Sequence, residues 1–291
     1  MSAAWAWLRR NAIVLYGSLA IAYMLIPILV IFVFSFNDPE GRFNYNWSGF
    51  TTDYWANPFA DQELNDAMVT SLELAALSTV IATVLGTLVA LALVRYEFFA
   101  RRTANLLIVI PMATPEVVIG AALLSMFLLQ PFSSLVDLGF QTLVIAHVMF
   151  QISFVIIVVR SRLIGFDRSL EEAARDLGAG PFETFRLVTF PLLAPAIAAA
   201  ALLAFALSID DFVISQFNSG TTVTFPLYIF GAAQRGIPVE VNVIAMMLFF
   251  VTVAAMGLTV WQQRRAERLA ARVPDDEIAG PGTPATVGKI A

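Results

Sequence analysis

The sequence predicts an all-α membrane protein that crosses the bilayer several times. Of its 291 residues, 59% are hydrophobic and only 13% are charged, whereas soluble domains carry about 25% charged residues. The apolar residues are gathered into six long segments, which is the second observation that supports this fold class. Because the chain has no cysteine, disulfide frameworks, thiolate metal sites and cysteine nucleophiles are excluded.

Each apolar segment is long enough for one transmembrane helix, since a hydrocarbon core about 30 Å thick requires roughly 20 helical residues. The first, fourth and sixth carry no charge, the second contains Glu73, and the third contains Glu116. The fifth meets Asp210 and Asp211 near its end. The predicted spans are residues 11–36, 67–94, 103–129, 138–159, 191–217 and 241–263. With their loops they are predicted to form a transmembrane domain, residues 1–263.

The basic residues predict that both ends of the chain are cytoplasmic, because arginine and lysine are retained in the cytoplasm during insertion. Of the 17 arginine and lysine residues, 15 lie before the first span or after the second, fourth or sixth. The other two, Arg42 and Arg235, fall in loops assigned to the outside. The first span is expected to stay uncleaved, because it is too long for a signal peptide. Residues 264–291 are predicted to be a basic segment with a disordered tail.

The longest cytoplasmic connection, residues 160–190, contains a predicted amphipathic helix. Ser169 followed by Glu172 has the form of a capping box, and Gly178 is suited to end the helix in a left-handed conformation. Pro181 is suited to begin a second short helix. The apolar positions fall on one helix face and are Leu170, Ala173, Ala174 and Leu177. A helix lying on the lipid surface is one interpretation, but the small apolar residues and the acidic polar face favour docking with another protein.

One part of this connection resembles the EAA loop of ABC-importer permeases, whose pattern is EAA-x3-G followed later by LP. The pattern matches residues 172–178 and then Phe190–Pro191, where phenylalanine replaces the usual leucine. In that family the loop forms a coupling helix that docks into a cleft of an ATPase subunit. The resemblance therefore implies an ATPase-coupling role for Glu172, Ala173, Ala174, Gly178, Leu170 and Leu177.

The resemblance covers about residues 30–260 and extends to a narrower group. FSFNDP, TPEVVIGAALL, SIDDFVIS and TFPLYIF are similar to segments of the second permease subunit of spermidine/putrescine ABC importers. This implies the type I ABC-importer permease architecture in the inner (plasma) membrane. It also implies three partners: an ABC ATPase dimer, a second homologous permease that completes a heterodimer, and an extracytoplasmic solute-binding protein. Nucleic acid is not an expected partner.

The lysine content agrees with an ATPase on a separate chain. A Walker A loop requires a lysine that reaches the phosphates, and the only lysine, Lys289, lies outside any such pattern. No cofactor is therefore expected on this chain, and ATP and Mg are expected on the partner. No metal site is expected, because His147 is the only histidine and has no second ligand at metal spacing. A hydrogen-bonded position in the core is the favoured interpretation of His147.

Three carboxylates are candidates for a substrate pathway, because ionisable groups in a membrane tend to face a cavity or a partner. Glu116 lies roughly 20 Å into the third span, after Pro111 and Pro115, which should interrupt the helix. The alternative for Glu116 is a hydrogen bond to a neighbouring helix. Asp210 and Asp211 would lie near the outer end of a straight fifth span, where they either attract ammonium groups or are simply solvated.

Import of a polyamine, driven by ATP bound elsewhere, is the predicted function. One alternative is a permease for another small solute such as ferric ion or sulfate. Another is an ATP-independent secondary transporter that uses Glu116 as an ion-coupled site. Inverted repeats would support that alternative, and none is evident in the sequence.

Overall fold

The computed structural model describes residues 3–41 and 43–270. This part is mostly helical, with one isolated β-bridge and no strand, which confirms the all-α prediction. In chain order the helices are α1 (Ala3–Phe34), α2 (Asp53–Ala56), α3 (Gln62–Arg95), α4 (Arg101–Ala113), α5 (Glu116–Leu128), α6 (Phe140–Ile164), α7 (Ser169–Asp176), α8 (Pro181–Thr184), α9 (Phe190–Ile209), α10 (Val213–Asn218), α11 (Phe225–Arg235) and α12 (Val239–Ala270). Arg42 and the predicted tail from residue 271 onward lie outside the described residues.

Four helical stretches among the described residues are long and apolar enough to cross a bilayer alone. They are Asn11–Phe34, Gln62–Arg95, Phe140–Ile164 and Pro181–Ile209. The α4–α5 pair makes a fifth if the bent pair counts as one span. In α12 the apolar part with described side chains is the shorter stretch Val239–Ala254. A count of six spans therefore stays a prediction.

The third predicted span is broken between α4 and α5, whose axes are bent by 112°. Thr114 and Pro115 form the break, and Thr114 has an extended conformation (φ −88°, ψ 135°). This conformation is expected of a residue that precedes proline. The predicted interruption at Pro115 is confirmed, whereas the interruption predicted at Pro111 is wrong, because Pro111 lies within α4.

The fifth predicted span, residues 191–217, differs from the structure at both ends. The helix begins at Pro181, as α8, and continues through a π-helical turn, Phe185–Thr189, into α9. It ends at Ile209, and α10 is a separate short helix after a break. The side chain of Asp211 accepts hydrogen bonds from backbone N–H groups of α10, so α10 starts as a new helix.

The chain divides into two compact units, the first of which comprises residues up to 58 and from 238 onward. It contains α1, α2 and α12, and both α1 and α2 contact α12. Of the apolar window of α1, 0% is buried, as expected of a helix that faces lipid or another subunit. After α1 the chain is organised around Asn37, which is fully buried and donates hydrogen bonds to Asn44 and to the carbonyl of Asn46.

The second unit, residues 59–237, has α3, α6 and α9 at its centre, and each of these helices contacts the other two. Small residues recur at four-residue intervals on α3 and include Ala82, Gly86 and Ala90. A Cβ added at Gly86 would lie 2.7 Å from Cγ1 of Val155 on α6. Small residues at this spacing allow helix backbones to approach closely inside a membrane. This core holds α7 where α3 ends, and α10 where α9 ends.

Candidate functional site

The residues predicted to contact an ATPase lie together on α7 and the turn that follows it. Leu170 is 47% exposed and Leu177 is 89% exposed. Glu172 and Ala173 are also exposed, and Ala174 is half-buried. We call this the coupling surface, and it consists of Leu170, Glu172, Ala173, Ala174, Leu177 and Gly178. Exposed apolar residues on a short helix can be covered by another protein.

Gly178 ends α7 in the way that the sequence predicts. Its φ is +91°, a left-handed conformation that glycine adopts without steric cost. The N–H of Ala179 donates to the carbonyl of Ala174 at 3.0 Å, and the N–H of Gly178 donates to that of Arg175 at 2.8 Å. These two bonds form a Schellman motif, so α7 stops within the exposed segment.

The start of α7 differs from the predicted capping box. Ser169 is the first residue of the helix, and no side-chain capping bond is made by the N-cap residue, Arg168. Instead Asp167 Oδ1 accepts a hydrogen bond from the N–H of Ser169 at 2.9 Å. This bond and one from the Ser169 side chain lower the pKa of Asp167. Glu172 therefore has no capping role and remains exposed on the coupling surface.

Glu171 was not among the candidate residues, because the sequence assigns it to the acidic polar face of the predicted helix, but the structure buries it. It is 5% exposed, and its Oε1 accepts hydrogen bonds from Arg95 Nη2 and from Thr189 Oγ1. Burial alone would raise the pKa of Glu171, but these two bonds and the Arg95 charge outweigh it and lower the pKa. The ionised carboxylate of Glu171 thus joins α7 to the end of α3 and the beginning of α9.

Glu116 is exposed and is the first residue of α5, immediately after the break at Pro115. α5 packs against α10, the helix that follows the other break. A Cβ at Gly120 of α5 would lie 2.8 Å from Cδ2 of Phe217 on α10, and Asn218 Nδ2 donates to the Gly120 carbonyl at 3.3 Å. The structure therefore brings together the short helices that follow the two interrupted spans.

Asp210 and Asp211 have different environments and do not form the pair expected at the mouth of a pathway. Asp210 is exposed, whereas Asp211 is 8% exposed. Asp211 accepts hydrogen bonds from the N–H groups of Ile214 at 3.2 Å and Ser215 at 2.8 Å, and from Ser215 Oγ at 2.9 Å. These donors belong to the first turn of α10, whose N–H groups have no partner within the helix. Asp211 is therefore directed into the protein.

His147 lies in the core, in agreement with the favoured sequence interpretation. It is 2% exposed, and its Nδ1 is 2.7 Å from Ser208 Oγ. Its Nε2 is 3.1 Å from Ser215 Oγ and 3.4 Å from Asp211 Oδ2. The histidine thus bridges the end of α9 and the start of α10. Among the described residues, no group of three or more metal-ligating side chains is close enough together to hold a metal ion.

The hydrogen bonds at His147 continue into α3 and complete a buried polar chain across four helices. Ser208 Oγ is 3.2 Å from Ser78 Oγ, which also accepts from Gln151 Nε2 at 3.2 Å. Ser78 and Gln151 are both 0% exposed. The sequence contained a signal for this chain, namely polar residues within apolar helices, but not the pairing between helices.

A groove of about 830 Å³ lies beside the beginning of α3. It is lined by Glu63 and Asp66 of α3 and by Tyr228 of α11, together with residues of the loop before α11. Tyr228 Oη donates a hydrogen bond to Asp61, the residue before α3, at 2.9 Å. The wall contributed by α3 is therefore acidic, and α11 adds aromatic side chains.

Comparison with known proteins gives matches over most of the chain. The family described as binding-protein-dependent transport system inner membrane component matches residues 82–268. The spermidine/putrescine transport system permease protein PotC of Escherichia coli (strain K12) is 39% identical over 228 residues, covering 78% of this chain and 84% of PotC. The putrescine transport system permease protein PotI of the same strain is 35% identical over 257 residues, covering 86% of this chain and 90% of PotI.

A solved structure contains a chain with a similar fold. The crystal structure of a bacterial ABC transporter involved in the import of the acidic polysaccharide alginate contains a similar chain, with a TM-score of 0.61 and 18% sequence identity. The match covers 90% of this chain and 98% of that chain. The family match at residues 82–268 includes both helix breaks and all of α7.

Proposed function

Because this chain belongs to the family of binding-protein-dependent transport system inner membrane components, we propose that it is a permease subunit of an ABC importer for polyamines. The assignment of ATP-driven transport rests on α7. This helix exposes Leu170 and Leu177 of the coupling surface, while its Glu171 side chain is hydrogen-bonded to the core. The polyamine assignment is supported by the two relatives named for spermidine and putrescine transport.

The coupling surface is the docking site for a dimer of ABC ATPases. Leu170 and Leu177 supply apolar contact area, Ala173 and Ala174 allow close approach, and Glu172 supplies a charge. ATP and Mg bind to the ATPases, and this chain has no cofactor of its own. When the ATPases close on ATP, their movement is transmitted through α7 to the helices of the core. For this to occur, the ATPases must bind the two states of the permease with unequal affinity.

The chain crosses the inner membrane six times, with both ends in the cytoplasm. Four single helices are long and apolar enough for one crossing each, and in this proposal the bent α4–α5 pair makes the fifth. The sixth is α12, whose 32 residues correspond to roughly 48 Å of helix, more than the hydrocarbon thickness. This arrangement places α7 and most basic residues on the cytoplasmic side, as the distribution of arginine requires.

The substrate pathway passes the two helix breaks. Irregular backbone inside a membrane is tolerated where it lines a cavity, and the helices that follow the breaks pack together. Glu116 and Asp210 are exposed at these breaks, and their carboxylates complement the ammonium groups of a polyamine. Asp211 contributes indirectly, because it holds the start of α10.

Two further partners complete the importer. A second, homologous permease forms a heterodimer with this chain and encloses the pathway. An extracytoplasmic solute-binding protein delivers the substrate at the external side, where the groove beside α3 and the segment 218–230 are located. Glu63 and Asp66 line the groove together with Arg235, and the two carboxylates of the α3 wall are suited to a cationic solute that enters from the binding protein.

The experiment is ATPase co-purification combined with spermidine uptake for Glu172→Arg and Leu177→Asp. We expect both variants to insert into the membrane but to lose ATPase association and uptake, because each places an unfavourable charge on the docking surface. Asp176→Asn is the matched control, since Asp176 is exposed on the same helix but outside the coupling surface. Normal uptake and normal association in both variants would show that α7 does not dock the ATPase.

A further inference from the structure

α7 has one buried side chain through which it is attached to the rest of the second unit. Of the residues in this helix, Glu171 is the buried one, and its side chain is 6% exposed. Glycines flank the helix, with Gly165 before it and Gly178 and Gly180 after it. A short helix between such turns can reorient unless something fixes it. Glu171 supplies the buried side chain that attaches α7 to the core.

Glu171 is attached to two different helices of the core through one oxygen atom. Arg95 is the last residue of α3, and its Nη2 donates to Glu171 Oε1. Thr189 is the last residue of the π-helical turn that leads into α9, is 1% exposed, and donates to the same oxygen. The three side chains thus form a junction among α7, α3 and α9.

A second contact occurs beside this junction. Arg168, the residue before α7, donates from Nη2 to the carbonyl of Val94 at 3.4 Å. That carbonyl belongs to the last turn of α3, where helix carbonyls have no partner within the helix. Both contacts connect α7 to the end of α3. The Arg168 contact is exposed, whereas the Glu171 side chain is 6% exposed and that of Arg95 is 24% exposed.

The chemistry of the junction favours a rigid connection. If Arg95 were removed, the carboxylate of Glu171, which is 6% exposed, would lose its hydrogen-bonded cation, and removing one partner of such an ion pair is destabilising. Rotation of α7 would separate Glu171 from Arg95. Because breaking this ion pair is unfavourable, the pair opposes such a rotation. The π-helical turn that positions Thr189 is itself a rare feature and often marks a functional position in a helix.

We propose that Arg95, Glu171 and Thr189 are positioning residues that make α7 move as one body with α3 and α9. This inference rests on the proposed function, in which an ATPase pushes on the coupling surface. With the junction intact, displacement of α7 is passed to the two core helices. Without it, α7 turns on its flanking glycines while the ATPase still docks and hydrolyses ATP.

The test uses the complete importer in proteoliposomes, with both permeases, the ATPases and the binding protein. The measured quantity is the number of spermidine molecules taken up for each ATP hydrolysed. For Glu171→Gln and Arg95→Gln we expect normal ATPase association and a fall in this ratio of about tenfold, within the range usual for coupling between sites. Arg162→Gln, which changes an exposed arginine at the end of α6, should keep the wild-type ratio.

Rescue separates positioning from general destabilisation. The charge-swapped double variant R95E/E171R should regain most of the lost ratio, because it restores the ion pair in the opposite direction. Thr189→Ser keeps the hydroxyl and should remain coupled, whereas Thr189→Val should be partly uncoupled. Failure of the swap to restore coupling would overturn the proposal, and an uncoupled Thr189→Ser would overturn the role of the Thr189 hydroxyl.

A direct measurement of α7 does not depend on transport. Because the chain has no cysteine, Asp176→Cys provides a single site for a spin label on the exposed side of α7. We expect the label to become more mobile when Glu171→Gln is added and to return to its original mobility in the charge-swapped variant. Unchanged mobility would overturn the proposal.

Failure of the proposed function gives a different result. If the wild-type chain binds no ATPase, the docking role of the coupling surface is wrong, and the positioning proposal is overturned with it. If the wild-type chain binds the ATPase but Glu171→Gln does not, the proposed function stands, and Glu171 acts in docking instead of positioning.

Discussion

At the scale of single residues, the coupling surface depends on where α7 ends. Gly178 has a φ of +91°, and no atom lies within 4 Å of a Cβ added there. A substitution at this position would thus be strained by its backbone conformation alone. The effect of φ can therefore be measured at Gly178 without an effect of crowding.

We expect Gly178→Ala to reduce transport by weakening the turn that ends α7. A left-handed conformation costs an alanine about 1–2 kcal/mol, which corresponds to a factor of about 5–30 in the population of the native turn. The initial rate of spermidine uptake measures this, with ATPase co-purification as a second readout. Gly165→Ala is the matched control, because Gly165 has a φ of −85° in the same loop. Equal uptake by the two variants would contradict this role of Gly178.

Local sequence patterns predicted Gly178 because its conformation depends on the residues beside it. Glu171 and Asp211 could not be placed in the same way. Glu171 is buried where it accepts a hydrogen bond from Arg95, which lies far from it in the sequence. Asp211 is buried where it accepts hydrogen bonds from the first turn of α10. Periodicity assigns a residue to a face of its own helix but does not identify the helix that packs against that face.

At the scale of helices, α3 and α6 pack so closely that Gly86 has no room for a side chain. Its Cβ would lie 2.7 Å from Val155 Cγ1 and 3.3 Å from the carbonyl oxygen of Ile152. Because side chains in a well-packed core have little freedom to move, the added methyl group would displace α6 relative to α3. The two helices carry Arg95, His147 and Gln151, so their separation also affects the candidate site.

Gly86→Ala should lower the thermal unfolding temperature in detergent, because overpacking of a core costs about 1–3 kcal/mol. Adding Val155→Ala should recover much of the loss by removing the methyl groups that clash. The matched control is Gly17→Ala in α1, where no atom lies within 4 Å of the added Cβ; it should be neutral or slightly stabilising. An unfolding temperature that Gly86→Ala leaves unchanged would contradict the close packing.

The helix breaks show how far the sequence predicts helical elements. Pro115 predicted an interruption correctly, because proline restricts the residue before it, but nothing local indicated the 112° bend. The end of α9 at Ile209 was missed, since no proline or glycine marks it. The Asp211 carboxylate accepts hydrogen bonds from N–H groups of α10. In a continuous helix these N–H groups would instead donate to backbone carbonyls.

For the molecule as a whole, the proposed function makes this chain one subunit of a larger transport complex. The chain belongs to the family of binding-protein-dependent transport system inner membrane components, and the region that matches this family includes both helix breaks and α7. The sequence predicted this family from the EAA loop, because the loop combines a local motif with a position between two apolar segments. The arrangement of α3, α6 and α9 and the junction at Glu171 depend on contacts between distant residues and required the structure.

The proposed function is polyamine import coupled to an ATPase on another subunit. It can be tested by uptake of labelled spermidine into proteoliposomes that contain the complete importer, with and without ATP and with putrescine, unlabelled spermidine, ferric ion or sulfate as competitors. We expect uptake that requires ATP and that falls with putrescine or unlabelled spermidine but not with sulfate or ferric ion. Uptake by this chain alone without ATP, or displacement by sulfate or ferric ion but not by putrescine, would contradict it.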